Sequence, residues 1–212
     1  MIQVLIVDDS SVSRELLSGI LQAEPDISVI GTASNGSEAV RLTSLLHPDI
    51  ITMDINMPGI DGFEATRQIM EKSPVPIIIV SGVDNLSEIA ASFRVMEAGA
   101  LTVIPKPPSP GDPAFPAARN EIITAVRTYH EVRVIRRRTR QTPFTPPETL
   151  RETIPGPVSL VAIGASTGGP PAIQTLLSGL SPRFPVPLIL VQHMSPGFIA
   201  GFSEWLTSST GF

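Results

Sequence analysis

Five polar side chains that could bind or accept a phosphoryl group follow short apolar runs: Asp8, Asp9, Asp54, Ser81 and Lys106. Three carboxylates repel one another unless a cation lies among them, and oxygen ligands in an incomplete protein cage favour Mg2+. One carboxylate beside Mg2+ can be the nucleophile toward phosphorus. A lysine and a hydroxyl can then contact the phosphoryl oxygens. These residue types predict a phosphoryl-accepting site, provided that the fold brings them together.

The apolar runs alternate with amphipathic segments, which predicts the required fold. Strands are expected over 3–7, 27–33, 50–53, 75–80 and 101–104, and helices over 37–46, 63–71 and 86–97, with others after Ser10 and after Pro113. This alternation implies right-handed crossovers and an α/β, doubly wound, five-stranded parallel sheet. Ligands bind such sheets beyond the carboxyl ends of the strands, which is where all five polar residues fall.

Turn chemistry is the competing explanation, because a single Asp-Asp pair after a strand is usually a helix cap or a turn. Five suitable residues at the ends of strands are hard to explain in that way. Residues 1–130 resemble a response-regulator receiver domain, which has a flavodoxin-like fold. The resemblance rests on Val7-Asp8-Asp9-Ser10, the run from Met53 to Gly62, Val80-Ser81-Gly82 and Lys106-Pro107.

The resemblance implies a role for each matching position. Asp9 and Asp54 are expected to bind Mg2+ directly, with the backbone carbonyl of Asn56 as a third ligand, and Asp8 to act through metal-bound water. Asp54 is expected to accept the phosphoryl group from a histidine kinase. The remaining two, Ser81 and Lys106, are expected to sense the phosphoryl group and to pair with it.

One position departs from the receiver pattern. Many receivers carry Tyr or Phe where this chain has Val103, so the aromatic side chain that transmits the switch in those receivers is missing here. In addition, Pro105 stiffens the loop before Lys106.

A helix and a proline-rich tether follow the receiver-like segment. Apolar residues from Ile122 to Ile135 predict a last helix that is longer than a receiver needs, with a basic end over 133–140. Residues 142–157 contain five prolines, which is typical of a semi-rigid linker. We therefore predict a receiver domain over 1–138, a linker over 139–157 and a second domain fragment over 158–212.

A serine and a histidine follow the two strands predicted in the last segment. Ser166 follows the apolar run 158–163, and His193 follows the run 186–191, with helices predicted over 171–180 and 199–206. If the strands are adjacent, these residues can approach each other as nucleophile and general base. Small residues after a strand often only permit tight packing, however, and a histidine at a strand end often only caps a loop. The residues alone leave serine hydrolysis and this structural role equally open.

A second resemblance bears on this choice. The run Ile163 to Gly169, with Gln192-His193-Met194 and Gly197-Phe198, is similar to the start of the protein-glutamate methylesterase domain of bacterial chemotaxis. It implies that Ser166 is the nucleophile and His193 the base in hydrolysis of glutamate methyl esters on chemoreceptors, with glutamine deamidation as a further activity. The domain order suggests that the unphosphorylated receiver covers Ser166.

The acid that orients the histidine in that family is absent from residues 158–212, which contain no Asp and a single Glu, Glu204. Two strands and two helices also cannot bury a doubly wound core. We therefore expect a truncated chain that carries the first βαβα part of a second doubly wound α/β domain and is catalytically incomplete. We also expect residues 158–212 to be poorly stable alone.

The amino-acid composition excludes several other classes of protein function. The net charge of −5 argues against nucleic-acid binding, and Arg183 is the only basic residue after Val158, so a DNA-binding regulator is the weakest hypothesis. The absence of cysteine excludes disulfides and thiolate chemistry. No leader peptide or membrane span is predicted, which favours a soluble cytoplasmic protein. The main alternative to the enzyme is a non-catalytic receiver that acts as a phosphate sink or docking module.

Overall fold

Alternating strands and helices are observed in the computed structural model, which describes residues 1–82, 93–134, 158–166, 168–194 and 197–212. The first half contains β1 (Ile2–Val7), α1 (Ser11–Gln22), β2 (Ile27–Ala33), α2 (Gly36–Leu46), β3 (Ile50–Met53), α3 (Gly62–Lys72), β4 (Ile77–Ser81), α4 (93–98), β5 (Thr102–Pro105) and α5 (Phe115–Tyr129). The first part of the predicted helix 86–97 and the whole predicted linker 139–157 lie outside the described residues.

The five strands form one parallel sheet in the order β2-β1-β3-β4-β5. Every residue of β3 and β4 is buried, as expected for strands covered by helices on both faces. One apolar cluster lies on each side of the sheet. The predicted doubly wound fold is therefore confirmed.

Each of the first three helices has a polar N-cap residue, which determines where the loop after the preceding strand ends and the helix begins. Side chains of Ser10, Asn35 and Asp61 accept hydrogen bonds from backbone N–H groups in the first turns of α1, α2 and α3. Such a cap stabilises a helix by about 1 kcal/mol. The helix predicted after Ser10 is confirmed.

The predicted extension of the last receiver helix is wrong, because α5 ends at Tyr129 and residues 132–134 are not helical. Val132 and Val134 are β-branched and lose side-chain freedom in a helix. Val134 instead packs against the apolar cluster that contains β3 and β4 residues.

The C-terminal segment begins a second α/β unit. It contains β6 (Val161–Ala165), α6 (Gly169–Ser178), β7 (Leu188–Gln192) and α7 (Ile199–Thr210), and the two strands pair in parallel. Along both strands partly buried residues alternate with exposed ones, and Val191 is 64% exposed. One face of this two-stranded sheet is therefore uncovered, which agrees with the expectation that this segment cannot bury a complete core.

Helix α7 packs on α4 of the first unit through aromatic side chains, and α6 contacts α4 through a hydrogen bond. Phe93 lies 5.6 Å from Trp205 and 5.2 Å from Phe202, measured between ring centroids, and all three rings are buried. Glu97 Oε1 accepts hydrogen bonds from the Trp205 indole N–H at 3.1 Å and from the Gln174 amide at 2.7 Å. In the described part of the chain, no helix is long and apolar enough to cross a membrane.

Candidate functional site

Three carboxylates gather where β1 and β3 end. Because these strands are neighbours, ligand oxygens of Asp8, Asp9 and Asp54 lie within 4.8 Å of one another. Asp8 and Asp54 are only 1% and 4% exposed, whereas Asp9 is open to solvent. Burial raises the pKa of Asp54, and Lys106 only partly offsets this effect. Such a cluster is compatible with a hard divalent cation.

Lys106 reaches this cluster from the end of β5. Its Nζ lies 2.8 Å from Asp8 Oδ2 and 3.0 Å from Asp54 Oδ2, and 28% of its side chain is exposed. Burial by itself would lower the pKa of Lys106, but the two carboxylates outweigh it and leave the pKa raised. The predicted meeting of the lysine with the carboxylates is observed.

Ser81 ends β4, between the strands that carry Asp54 and Lys106. It is fully buried, and its Oγ has no hydrogen-bond partner within the described residues. A buried hydroxyl without a partner costs about 1–3 kcal/mol, and a hydrogen bond to a bound oxygen-rich group would offset this cost. The carboxylates, lysine and hydroxyl together fit a phosphoryl group with Mg2+.

The other oxygens of the two buried carboxylates are held by the backbone. Asp8 Oδ1 accepts from the Ser10 N–H at 2.9 Å, and Asp54 Oδ1 accepts from the Ile55 N–H at 2.8 Å. Asp9 makes no such contact through its carboxylate in the hydrogen bonds described. Among the described residues, the carboxylate of Asp9 is therefore the least constrained of the three. Asn56 is exposed beside them.

Sequence reasoning missed two residues that position this cluster. Arg14 donates from Nη1 to the backbone carbonyls of Asp8 at 2.7 Å and Asp9 at 2.9 Å, which fixes the loop after β1. Gly62 lets α3 begin against the loop after β3, because an added Cβ would lie 2.8 Å from Ile55 Cα and would overlap the Asp54 carbonyl oxygen. In the sequence, the only signal for Arg14 is its position in the first turn of the helix predicted after Ser10. The only signal for Gly62 is that the residue is a glycine.

Ser166 and His193 follow two neighbouring strands, as predicted. Ala165 and Gln192, the last residues of β6 and β7, are register partners, and the His193 N–H donates to the Ala165 carbonyl at 3.1 Å. Both Ser166 and His193 are exposed. The arrangement therefore presents an accessible hydroxyl and an imidazole on adjoining loops.

The turn into α6 supplies fewer amide donors than a normal helix start. Pro170 and Pro171 carry no N–H, and the Gly169 N–H donates to the Ser166 carbonyl at 2.8 Å. Gly168 precedes the helix with a φ of 70°, a backbone conformation that glycine adopts at no steric cost.

The first unit borders the Ser166 loop. A groove of about 540 Å³ is lined by Ser166 and His193 on one side and by residues of β5 and α5, including Thr102, Thr128 and Tyr129, on the other. Val103, where many receivers carry an aromatic residue, is 6% exposed and packs in the apolar cluster shared with α6 and α7.

A five-stranded sheet in this order, with carboxylates, a hydroxyl and a lysine at its strand ends, defines a receiver-type domain followed by the beginning of a second α/β domain. The response regulator receiver domain family matches residues 4–112, and the CheB methylesterase family matches residues 161–212. The chain belongs to the response-regulator receiver family and carries a fragment of a CheB methylesterase domain.

Individual proteins agree with this assignment. The protein-glutamate methylesterase/protein-glutamine glutaminase 2 of Methanospirillum hungatei JF-1 is 60% identical over 216 residues, which cover 100% of this chain and 62% of that relative. A second, from Geobacter metallireducens, is 49% identical over 97% of this chain and 60% of its own length. The response regulator domain of Thermotoga maritima CheB is 37% identical, covers 63% of this chain and 98% of its own, and superimposes with a TM-score of 0.56. The chain thus spans about 60% of the length of these curated relatives.

Proposed function

We propose that the chain forms the receiver and part of the catalytic domain of a phosphorylation-regulated chemotaxis methylesterase. The observation that carries the proposal is the occurrence, in one chain, of the buried Asp54–Lys106 cluster and of Ser166 and His193 on adjoining strand ends. The proposed protein acts in the cytoplasm, with a histidine kinase as phosphodonor and methylated chemoreceptors as substrates. We propose domain limits of 1–138, 139–157 and 158–212.

In the receiver, an oxygen of Asp54 attacks phosphorus as the bond to the donor breaks. Asp9, Asp54 and the backbone carbonyl of Asn56 would hold Mg2+, and its charge would offset repulsion between the carboxylates and the phosphoryl group. Lys106 Nζ, which lies 3.0 Å from Asp54 Oδ2, would pair with a phosphoryl oxygen, and the phosphoryl group would give the Ser81 hydroxyl a hydrogen-bond partner.

In the second domain, Ser166 Oγ attacks the ester carbonyl of a methylated glutamate while His193 removes the hydroxyl proton. The proton passes to the leaving methoxide, which departs as methanol and leaves an acyl-serine. A water molecule, deprotonated by His193, then releases the glutamate carboxylate and restores the serine. The same sequence on glutamine releases ammonia, which accounts for the proposed deamidation.

Regulation follows from the position of the receiver beside the Ser166 groove. Residues of β5 and α5 form one wall of that groove, and α4 packs on α6 and α7. In the proposal, the unphosphorylated receiver restricts access of a receptor segment to Ser166, and phosphorylation at Asp54 relieves this restriction.

The test is methanol release from methylated receptor by the natural polypeptide that contains this chain, with and without acetyl phosphate and Mg2+. Wild type should release methanol, acetyl phosphate should increase the rate, and Asp54→Ala should abolish that increase. Ser166→Ala should be inactive, whereas the control Ser208→Ala, on α7, should retain activity. Release that does not depend on Ser166 would overturn the proposal.

The second candidate is a non-catalytic receiver module. It is favoured by one observation: residues 158–212 contain no Asp, and their only Glu, Glu204, is exposed on α7. Phosphorylation of Asp54 without methanol release from any form of the natural polypeptide would support this candidate.

A further inference from the structure

The side-chain amide of Gln192 joins the two loops that carry Ser166 and His193. Its Nε2 donates to the backbone carbonyl of Ser166 at 2.9 Å and to that of His193 at 2.8 Å. An amide NH2 has two hydrogens, so both are used. The opposite orientation of the amide would place its oxygen against two carbonyl oxygens, so the two acceptors determine which way it faces.

The Ser166 carbonyl is held from two directions. It accepts from the Gly169 N–H at the start of α6 at 2.8 Å as well as from Gln192. The backbone at the candidate nucleophile is therefore tied both to the helix that follows it and to the neighbouring strand. The His193 backbone is tied to β6 through its N–H and to Gln192 through its carbonyl.

Gly169 makes room for this amide. A Cβ added at Gly169 would lie 2.9 Å from Gln192 Cδ and closer still to Oε1. The Oε1 atom is itself buried and has no hydrogen-bond partner in the part of the chain that the structure describes. Burying an acceptor without a partner destabilises the folded state, which is a reason to assign the amide a role beyond stability.

We propose that Gln192 is a positioning residue that sets the placement of the Ser166 hydroxyl relative to the His193 imidazole. This inference rests on the proposed esterase function. Gln192 acts on the backbone of both residues and donates no group to the substrate. Because a displacement of about 1 Å can reduce a rate by about 100-fold, loss of this bridge should lower kcat while substrate binding is retained.

The test compares three variants of the natural polypeptide by methanol release from methylated receptor. Gln192→Met keeps the length of the side chain but has no donor, and kcat should fall by roughly 10- to 100-fold with less than a twofold change in KM. The side chain of Gln192→Glu is ionised at neutral pH and repels both carbonyl oxygens. This variant should therefore be slower than Gln192→Met. Its activity relative to Gln192→Met should rise as the pH falls, because a protonated carboxyl regains one donor. Thr175→Ala also loses a side-chain hydrogen bond to a backbone carbonyl, that of Pro171, but should remain near wild type.

A second pair of variants separates positioning from loss of folding. Gly169→Ala should lower kcat when Gln192 is present and have less effect in the Gln192→Ala background, because the added methyl group then no longer displaces the Gln192 amide and meets only Ala165 Cβ, at 2.8 Å. The inference would be overturned if Gly169→Ala lowered kcat by the same factor with and without Gln192, so that the two losses were additive. A wild-type kcat in Gln192→Met would also overturn it. A wild-type protein without Ser166-dependent release would overturn the proposed function and this role with it, whereas an active wild type with an active Gln192→Met would overturn only this role.

Discussion

Replacing Lys106 by methionine removes the ammonium group that lies between two buried carboxylates. Lys106 Nζ is 2.8 Å from Asp8 Oδ2 and 3.0 Å from Asp54 Oδ2. Methionine retains most of the side-chain volume, so the change is mainly in charge. Without Mg2+, Asp8 and Asp54 are then left facing each other with little access to water.

The size of the effect follows from this burial. Breaking a buried ion pair typically costs 3–5 kcal/mol, because one charge stays buried without compensation. Since 28% of the Lys106 side chain is exposed, water reduces the loss, and we expect about 3 kcal/mol at pH 7. A chain of this size then loses roughly 6–12 °C in Tm.

The loss should depend on pH in a defined direction. The folded-state pKa of Asp54 is already raised, so its contribution to stability is full below 3.8 and declines as the pH rises through the raised pKa. Removing Lys106 raises the pKa of Asp54 further, because the nearby positive charge is lost. The pH range over which ionisation of Asp54 destabilises the folded state then extends to higher pH. The difference between wild type and Lys106→Met should therefore be largest near neutral pH and should shrink as the pH approaches 4.

The measurement is urea unfolding followed by far-ultraviolet circular dichroism, in EDTA, at several pH values. Lys72→Met is the matched control, because Lys72 is the other lysine of the chain and is exposed on α3; its effect should stay within about 0.5 kcal/mol. Mg2+ should restore part of the stability of Lys106→Met. A variant as stable as wild type at pH 7, or one whose loss is equal at pH 4 and pH 7, would refute the reasoning.

Three further predictions test other contacts. Gly62→Ala should destabilise the protein by about 2 kcal/mol in urea unfolding, because its methyl group meets backbone atoms of the loop after β3; wild-type stability would contradict the close packing. Arg127 lowers the pKa of Asp26 to about 2, so Arg127→Gln should return that pKa toward 3.8 in an NMR titration, and acid should unfold wild type at lower pH than the variant. Glu97→Leu removes the acceptor of the Trp205 indole, the only tryptophan, and should change its emission and increase its quenching by acrylamide; an unchanged spectrum would argue against the contact between α4 and α7.

The receiver fold could be read from the sequence because its signals are local. Continuous apolar runs ended by polar residues predicted the strands of β1 and β3 to within one residue, and Ser10 marked the start of α1. The same pattern placed Asp54 and Lys106 at strand ends. Parallel, doubly wound topology then brings those ends to one edge, so the composition of the acidic cluster followed without further information.

Other features depended on tertiary packing. Whether Asp8 is buried, and whether the lysine contacts it, is decided by the strand order β2-β1-β3-β4-β5, which no local pattern specifies. The end of α5 at Tyr129 was mispredicted because apolar spacing continues past it, whereas Val134 packs against a different apolar cluster from the one that contains the buried residues of α5.

The sequence by itself determined the order of strands and helices along the chain, the acidic and basic residues at the strand ends, and the serine and histidine after β6 and β7. Only the tertiary structure decided which distant side chains meet, as when Trp205 donates to Glu97, 108 residues earlier, or Gln192 to Ser166, 26 residues earlier. Hydrophobic periodicity is a property of residues that are neighbours in the sequence, so it can be recognised from the sequence alone. Contacts between separate elements depend on how their faces pack, and that is settled by the shapes and volumes of the whole core.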